Sequence, residues 1–209
     1  MKLLLNAFRL FLVGFVLFTF GVTTSQAANK VLKIGHIGVM SGPAAAWGLI
    51  NKYAALAGAE IINEDGGFEI GGEKYDIEIV SLDTKQNPRV AIAGAERLVY
   101  QEGIKYIIGP NVDDTTRAVL PVLEKAGAFN ICYGWHRALF TPPSKNTALG
   151  MIAGYQSAPV IYKYLKEQRG VKSLACVPRN DASGLNSRDS CVAAADQLGI
   201  KITSSDSTY

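Results

Sequence analysis

The chain predicts a doubly wound α/β fold built on parallel sheets, and two observations carry that prediction. Apolar runs of strand length alternate with amphipathic stretches of helix length from Val31 onward, and Gly, Pro, Asn or Asp punctuates the junctions. Strands alternating with helices of this length form βαβ units, in which the helix carries the chain back so that the next strand lies parallel.

Val31–Met40 is β-rich with apolar residues at alternate positions, and Ser41-Gly42-Pro43 breaks it. From Trp47 to Asn63, Ile50, Ala54, Ala57 and Ile61 recur at three- and four-residue spacing, predicting a helix with one apolar stripe that ends at Asp65-Gly66-Gly67. A turn at Gly71-Gly72 leads into a strand over Tyr75–Asp83. Asn87-Pro88 starts a second helix, with Asn as cap and Pro at the first position, running to about Gln101. Ile104–Ile108 is a short buried strand turned at Gly109-Pro110, and a helix from Asp114 or Thr115 to Lys125 precedes a strand at Phe129–Cys132. Gly134 to Gly154 carries few periodic signals and reads as a crossing segment. Beyond it come a helix (Ser157–Arg169), a strand (Ser173–Val177), a helix (Gly184–Leu198) and the opening of another strand (Lys201–Thr208).

Ahead of this pattern stands a leader. Lys2 and Arg9 form a cationic start, Leu10 to Val22 an apolar run, and Ser25 and Ala27 sit at −3 and −1 of a cut after Ala27. The run is shorter than the roughly 20 apolar residues a spanning helix needs, and no Cys marks a lipid attachment site. Residues 1–28 are therefore read as a cleaved signal peptide, and the mature chain as exported and soluble. Losing Lys2 and Arg9 leaves 19 basic against 18 acidic side chains, which gives no electrostatic case for nucleic acid.

Three cysteines are too few for a disulfide framework, although export permits one bridge. Cys176 with Cys191 is the pair selected, because they fall in one predicted strand and the helix after it, while Cys132 lies in an earlier segment. Three buried, inert thiols are the other reading.

In open α/β sheets ligands bind outside the carboxyl ends of the strands. Those loops are Ser41–Trp47, Asp83–Asn87, Gly109–Thr116, Cys132–Leu139 and Pro178–Gly184. No catalytic constellation occupies them. There are two histidines, His36 inside the first strand and His136, with no Cys/His cluster at metal-ligand spacing, no G-x-S-x-G elbow and no phosphate loop. Gly109-Pro110 leads to a helix start that would suit an anion, but Asp113 and Asp114 fill it with negative charge. These residues ask for no cofactor, no metal and no enzyme activity, and a secreted enzyme acting through His136 is the third reading.

Val39-Met40-Ser41-Gly42-Pro43-Ala44-Ala45-Ala46-Trp47-Gly48 resembles the first loop of the leucine/isoleucine/valine-binding proteins, the substrate-binding components of ABC importers with the type I periplasmic-binding-protein fold. The resemblance continues through Ala57-Gly58-Ala59-Glu60-Ile61-Ile62-Asn63-Glu64-Asp65-Gly66-Gly67, then Asp83, Asn87-Pro88, Ile107-Ile108-Gly109-Pro110 and Glu124-Lys125-Ala126-Gly127. It spans most of residues 31–130 in order and spacing and weakens after about 140. It implies a two-lobed periplasmic protein that closes over a small molecule, an amino acid of branched-chain type or a related solute, and presents it to a membrane permease. Residues 29–145 would then form lobe one and 146–209 the start of lobe two, which is incomplete because the family is about twice as long. The same fold also serves as the ligand-sensing part of receptors, which is the alternative function.

The resemblance also names site residues. Trp47 falls where the family places an aromatic ring beside the ligand; packing at its helix start is the other reading. In Asn111-Val112-Asp113-Asp114-Thr115-Thr116 the family presents a Ser and a Thr to a ligand carboxylate. Here Thr116 matches, Thr115 adjoins it, and Asp113 stands in the Ser position, either as a helix cap or facing a ligand donor or cation. Tyr133-Gly134-Trp135-His136-Arg137 replaces small residues with rings, so Trp135 could stack on a planar ligand and His136 or Arg137 meet an anionic group. Packing between the lobes is the alternative. Ser183 takes a place where the family often has Tyr, and Tyr155 is a further candidate.

Overall fold

The computed structural model describes residues 28–206. The leader up to the cut after Ala27, and the end of the last strand predicted to reach Thr208, lie outside them.

The main sheet has six strands in the order β2-β3-β1-β4-β5-β6. Central β1 (Lys30–Gly38) runs parallel to β3 (Glu73–Asp83) over its whole length, from Lys30 opposite Tyr75 to Gly38 opposite Asp83. On its other side lie β4 (Tyr106–Asn111), β5 (Phe129–Tyr133) and β6 (Thr147–Leu149), all parallel. Strand order reverses at β1, the signature of a doubly wound sheet, and this is the α/β fold expected.

Two strands were not expected. β2 (Phe68–Ile70) folds back antiparallel on β3 through the Gly71-Gly72 turn, and β6 lies within the stretch read as a crossing segment. Each is three residues long, so neither offers a period to detect; neighbouring strands supply the hydrogen bonds that define them.

The first helix, α1 (Ala45–Glu64), corrects a second expectation. Its Ile50–Ala54–Ala57–Ile61 stripe faces outward, with Ile50 64% and Ile61 60% exposed. The buried positions are Gly48 and Ala59. At Gly48 a side chain would collide with the Val39 carbonyl, whose oxygen accepts the Gly48 N–H at 3.1 Å. The helix is seated by its smallest residues because the backbones approach closely there.

The far end of α1 is fixed by Asn63. Its Oδ1 accepts the Ile77 N–H (2.7 Å) and its Nδ2 donates to the Ile77 carbonyl (2.9 Å). The Asn of the I-N-x-x-G-G motif is thus a clamp between the helix and β3. α2 (Pro88–Glu96) starts on Asn87, whose side chain accepts the Arg89 N–H at 2.9 Å, and continues as a π turn over Arg97–Gln101. α2 and α3 (Asp113–Lys125) pack together, and Ile37, Leu98, Ile104, Ile107, Val119 and Leu123 form the core between them and the sheet.

Residues beyond β6 build a second, two-stranded parallel sheet, β7 (Ser173–Ala175) with β8 (Lys201–Ser204). α4 (Gly154–Arg169) packs on α5 (Ala182–Gln197), which joins the two strands. Both helices start earlier than predicted. Gln156 Oε1 accepts the Ala153 N–H (2.9 Å) at one, and the cap Asp181 accepts the Gly184 N–H (2.7 Å) at the other. Cys176 and Cys191 are joined in a disulfide with their Cα atoms 6.7 Å apart. Cys132 is a free, buried thiol that burial pushes up to about 11, so it stays protonated.

Candidate ligand-binding cleft

The parallel strands deliver their carboxyl ends to one edge, and short polar bonds knit the loops there. Val39 N–H donates to Asn111 Oδ1 (2.9 Å), joining the ends of β1 and β4. Met40 and Lys85 N–H both donate to Asp83 Oδ1 (2.8 and 2.9 Å), joining β1 to β3. Burial pushes Asp83 up, but these two amides with a Ser41 hydrogen bond outweigh it and hold the carboxyl below its usual range.

Between β4 and α3 the chain turns at Val112, buried at φ 62°, ψ 140°. A β-branched residue at positive φ is strained, at a cost of about 1–3 kcal/mol. Val112 sits between two side chains that serve opposite neighbours: Asn111 reaches the end of β1, while Asp113 reaches the loop after β5. Asp113 Oδ1 accepts the N–H groups of Trp135 (2.7 Å) and His136 (3.1 Å). Asn111 Nδ2 and Asp113 Oδ2 are buried without a partner, an arrangement costing about 1–3 kcal/mol per group.

Two adjoining hollows open at this edge. One, of about 130 Å³, is walled by Trp47, Asn111, Val112, Tyr133, Trp135 and Met151, with Ile50 and Asn51 at its side. The other, of about 430 Å³, lies between the two sheets, with Trp47 and Trp135 on one side and Pro178, Arg179 and Ser183 on the other. The Trp47 and Trp135 rings belong to both and meet edge to face, centroids 6.2 Å apart at 62°. A larger groove of about 710 Å³ along α5 and β8 contains none of these residues.

Of the eight residues named from sequence, Trp47, Trp135 and Ser183 line this cleft. Ser183 also bridges its sides, its Oγ accepting the Asp113 N–H at 3.4 Å. Asp113, Thr115 and Thr116 lie beneath it, each with no exposed surface. Thr115 Oγ1 donates to the Asn111 carbonyl (2.8 Å) and Thr116 Oγ1 to that of Val112 (2.7 Å), so both hydroxyl protons are directed into the helix's own start. The cap reading of Asp113 is corrected. Val112 holds the cap position, and Asp113, the first helical residue, turns its carboxylate to the neighbouring loop.

His136 caps a short 3₁₀ turn over Arg137–Phe140, its Nδ1 accepting the Ala138 N–H at 3.0 Å. Tyr155 lies under the Arg137 guanidinium, 5.9 Å from ring centroid to Cζ. Neither lines the two hollows. Sequence reasoning did not select Asn111, Tyr133 or Met151. Asn111 and Tyr133 stood in loops already singled out, but their neighbours carried the stronger chemical signal. Among the described residues no group of His, Cys, Asp and Glu could hold a metal ion.

The family profile described as periplasmic binding protein matches residues 31–208. The leucine-, isoleucine-, valine-, threonine-, and alanine-binding protein of Pseudomonas aeruginosa is 24% identical over 183 residues, covering 87% of this chain and 48% of its own length. The Leu/Ile/Val-binding protein homolog 3 of Brucella melitensis is 27% identical over 199 residues, covering 90% and 50%. The chain thus spans about half the length of these relatives. Among solved structures, the branched-chain amino acid transporter substrate-binding protein LivJ of Streptococcus pneumoniae, in complex with isoleucine, superimposes with a TM-score of 0.73 at 24% identity, over 86% of this chain and 50% of that one. A solute-binding protein of an ABC transporter from Rhodopseudomonas palustris HaA2, in complex with p-hydroxybenzoic acid, gives 0.70 at 22% identity, over 86% and 46%. At these identities the solved structures establish a common fold.

Proposed function

The chain belongs to the periplasmic binding proteins of the leucine/isoleucine/valine-binding kind, and from that premise we propose that it forms part of the substrate-binding component of an ABC importer. In this reading it is exported behind the leader at residues 1–28. It captures a branched-chain amino acid or a related small organic solute between a first lobe, which β6 carries past the expected boundary at 145 to Leu149, and a second lobe of the residues beyond, and hands it to a membrane permease. The observation that carries the reading is the position of Trp47, Trp135 and Ser183. They face one cleft between the carboxyl ends of two parallel sheets, where open α/β folds bind ligands. The cleft supplies apolar rings, hydroxyl and amide groups and the Arg179 guanidinium rather than an acid–base pair, which suits binding without turnover.

Export and capture are tested separately. Fractionation of cells expressing the full-length protein should recover it from the periplasm, lacking the leader. The purified full-length protein should then melt higher in the presence of its solute. A ligand at about 100 times its Kd adds roughly 2.7 kcal/mol, a rise of several degrees. Recovery of the uncleaved chain in the cytoplasm would overturn the exported reading, and no shift across amino acids and small organic acids would overturn the capture of such solutes.

A further inference from the structure

Resting on that reading, we propose that the hollow beside Trp47 and Trp135 takes a flat aromatic ring bearing a hydrogen-bond acceptor, rather than an aliphatic α-amino acid. Size is the first reason. At about 130 Å³ it is comparable to the ~150 Å³ apolar cavity that holds a benzene molecule. The second is its lining. Trp47, Tyr133 and Trp135 supply three rings, Ile50, Val112 and Met151 aliphatic or thioether surface, and no charged side chain takes part. A zwitterion entering such a space loses its hydration with no counter-charge to replace it, whereas a ring continues the edge-to-face arrangement of the two tryptophans.

The third reason is that the groups able to anchor an α-carboxylate on this side are already engaged. The Trp135 and His136 N–H groups donate to Asp113, and the Thr115 and Thr116 hydroxyl protons go to backbone carbonyls. Asp113 and Asp114 also place negative charge in the first turn of α3. Asn51 and the Tyr133 hydroxyl border the hollow at its more open side, and one buried polar group faces it. Asn111 lines the hollow, is 2% exposed, gives its Oδ1 to Val39, and keeps Nδ2 as a donor without a partner. An uncharged carbonyl oxygen on the ring is the complement to that donor, since a carboxylate would meet the same lack of counter-charge as the zwitterion.

The test uses the full-length protein with acetophenone, benzamide and isoleucine as probes, read by melting temperature and titration calorimetry. Acetophenone and benzamide should raise the melting temperature and isoleucine should not. Asn111→Asp keeps the acceptor for Val39 but replaces the donor with a carboxylate. It should weaken acetophenone, which has only an acceptor, by on the order of tenfold or more while sparing benzamide, whose NH₂ can donate to the new group. Trp135→Leu, which leaves Asn111 untouched, should weaken both ring probes and serves if Asn111→Asp does not fold. Silence from both ring compounds overturns the inference. A shift with isoleucine in that case leaves the importer reading standing, and silence from all three removes support from both.

Discussion

Asp113 holds Trp135 in place: its carboxylate Oδ1 accepts the Trp135 N–H at 2.7 Å and the adjacent His136 N–H at 3.1 Å. The wall of the cleft contributed by β5 is therefore set by a side chain from the start of α3. Hydrogen bonds to a buried charged acceptor contribute about 1.5–3 kcal/mol each. Asp113→Ala should lower unfolding stability in urea by about 3 kcal/mol, and Asp113→Asn, which retains an acceptor, should recover most of the loss. Asp114→Ala, exposed in the same turn, should cost less than about 1 kcal/mol. Equal effects at the two positions would rule out the tether.

His36 predicts an acid-sensitive fold. Its ring has no exposed surface, both nitrogens lack partners, and burial, aided by the nearby charge of Lys52, pushes it down to about 4. Above pH ~6.5 the ring is neutral in both folded and unfolded chains and contributes no pH dependence. Below that the unfolded chain takes a proton the native state refuses, so stability falls as pH falls toward 4, by up to about 3 kcal/mol. His36→Leu should flatten this part of the denaturation profile relative to the parent protein. A parallel slope in the two proteins would exclude His36 as its source.

The Cys176–Cys191 bond closes a 15-residue separation around the loop that forms the Pro178–Ser183 side of the cleft. Constraining the unfolded chain over that length is worth about 3 kcal/mol in the loop-entropy account. Reductant should lower the melting temperature by several degrees, and a Cys176→Ser/Cys191→Ser protein should melt at the reduced value and ignore reductant. Cys132, buried and protonated, should resist thiol reagents until the chain unfolds.

Two glycines of α1 should respond oppositely to alanine. At Gly48 the new methyl meets the Val39 backbone and forces the helix from the sheet, a destabilisation of about 1–3 kcal/mol or more. At Gly58 nothing lies within 4 Å, so alanine should stabilise the helix by roughly 0.5–1 kcal/mol. Thermal melts of the two single variants decide the matter, and the same sign at both would refute the close approach of α1 to β1.

The amino-acid sequence alone determined the alternation of strands and helices, because the buried central strands and the caps at Asn87 and the glycine turns carry their signals within a few residues. It also determined the edge at which the loops singled out gather, since parallel strands bring their carboxyl ends together whatever the side chains. What it left open depended on contacts between segments far apart in the chain. The outward turn of the Ile50–Ile61 stripe follows from the fit of Gly48 against Val39. β2 and β6 exist through their neighbours' hydrogen bonds. The engagement of Asp113 with Trp135, and of Thr115 and Thr116 with their own helix, was decided when β4 and β5 came side by side. A residue's type states which bonds it can make; only the packed sheet settles which partners are within reach, and so leaves Asn111 with its donor free.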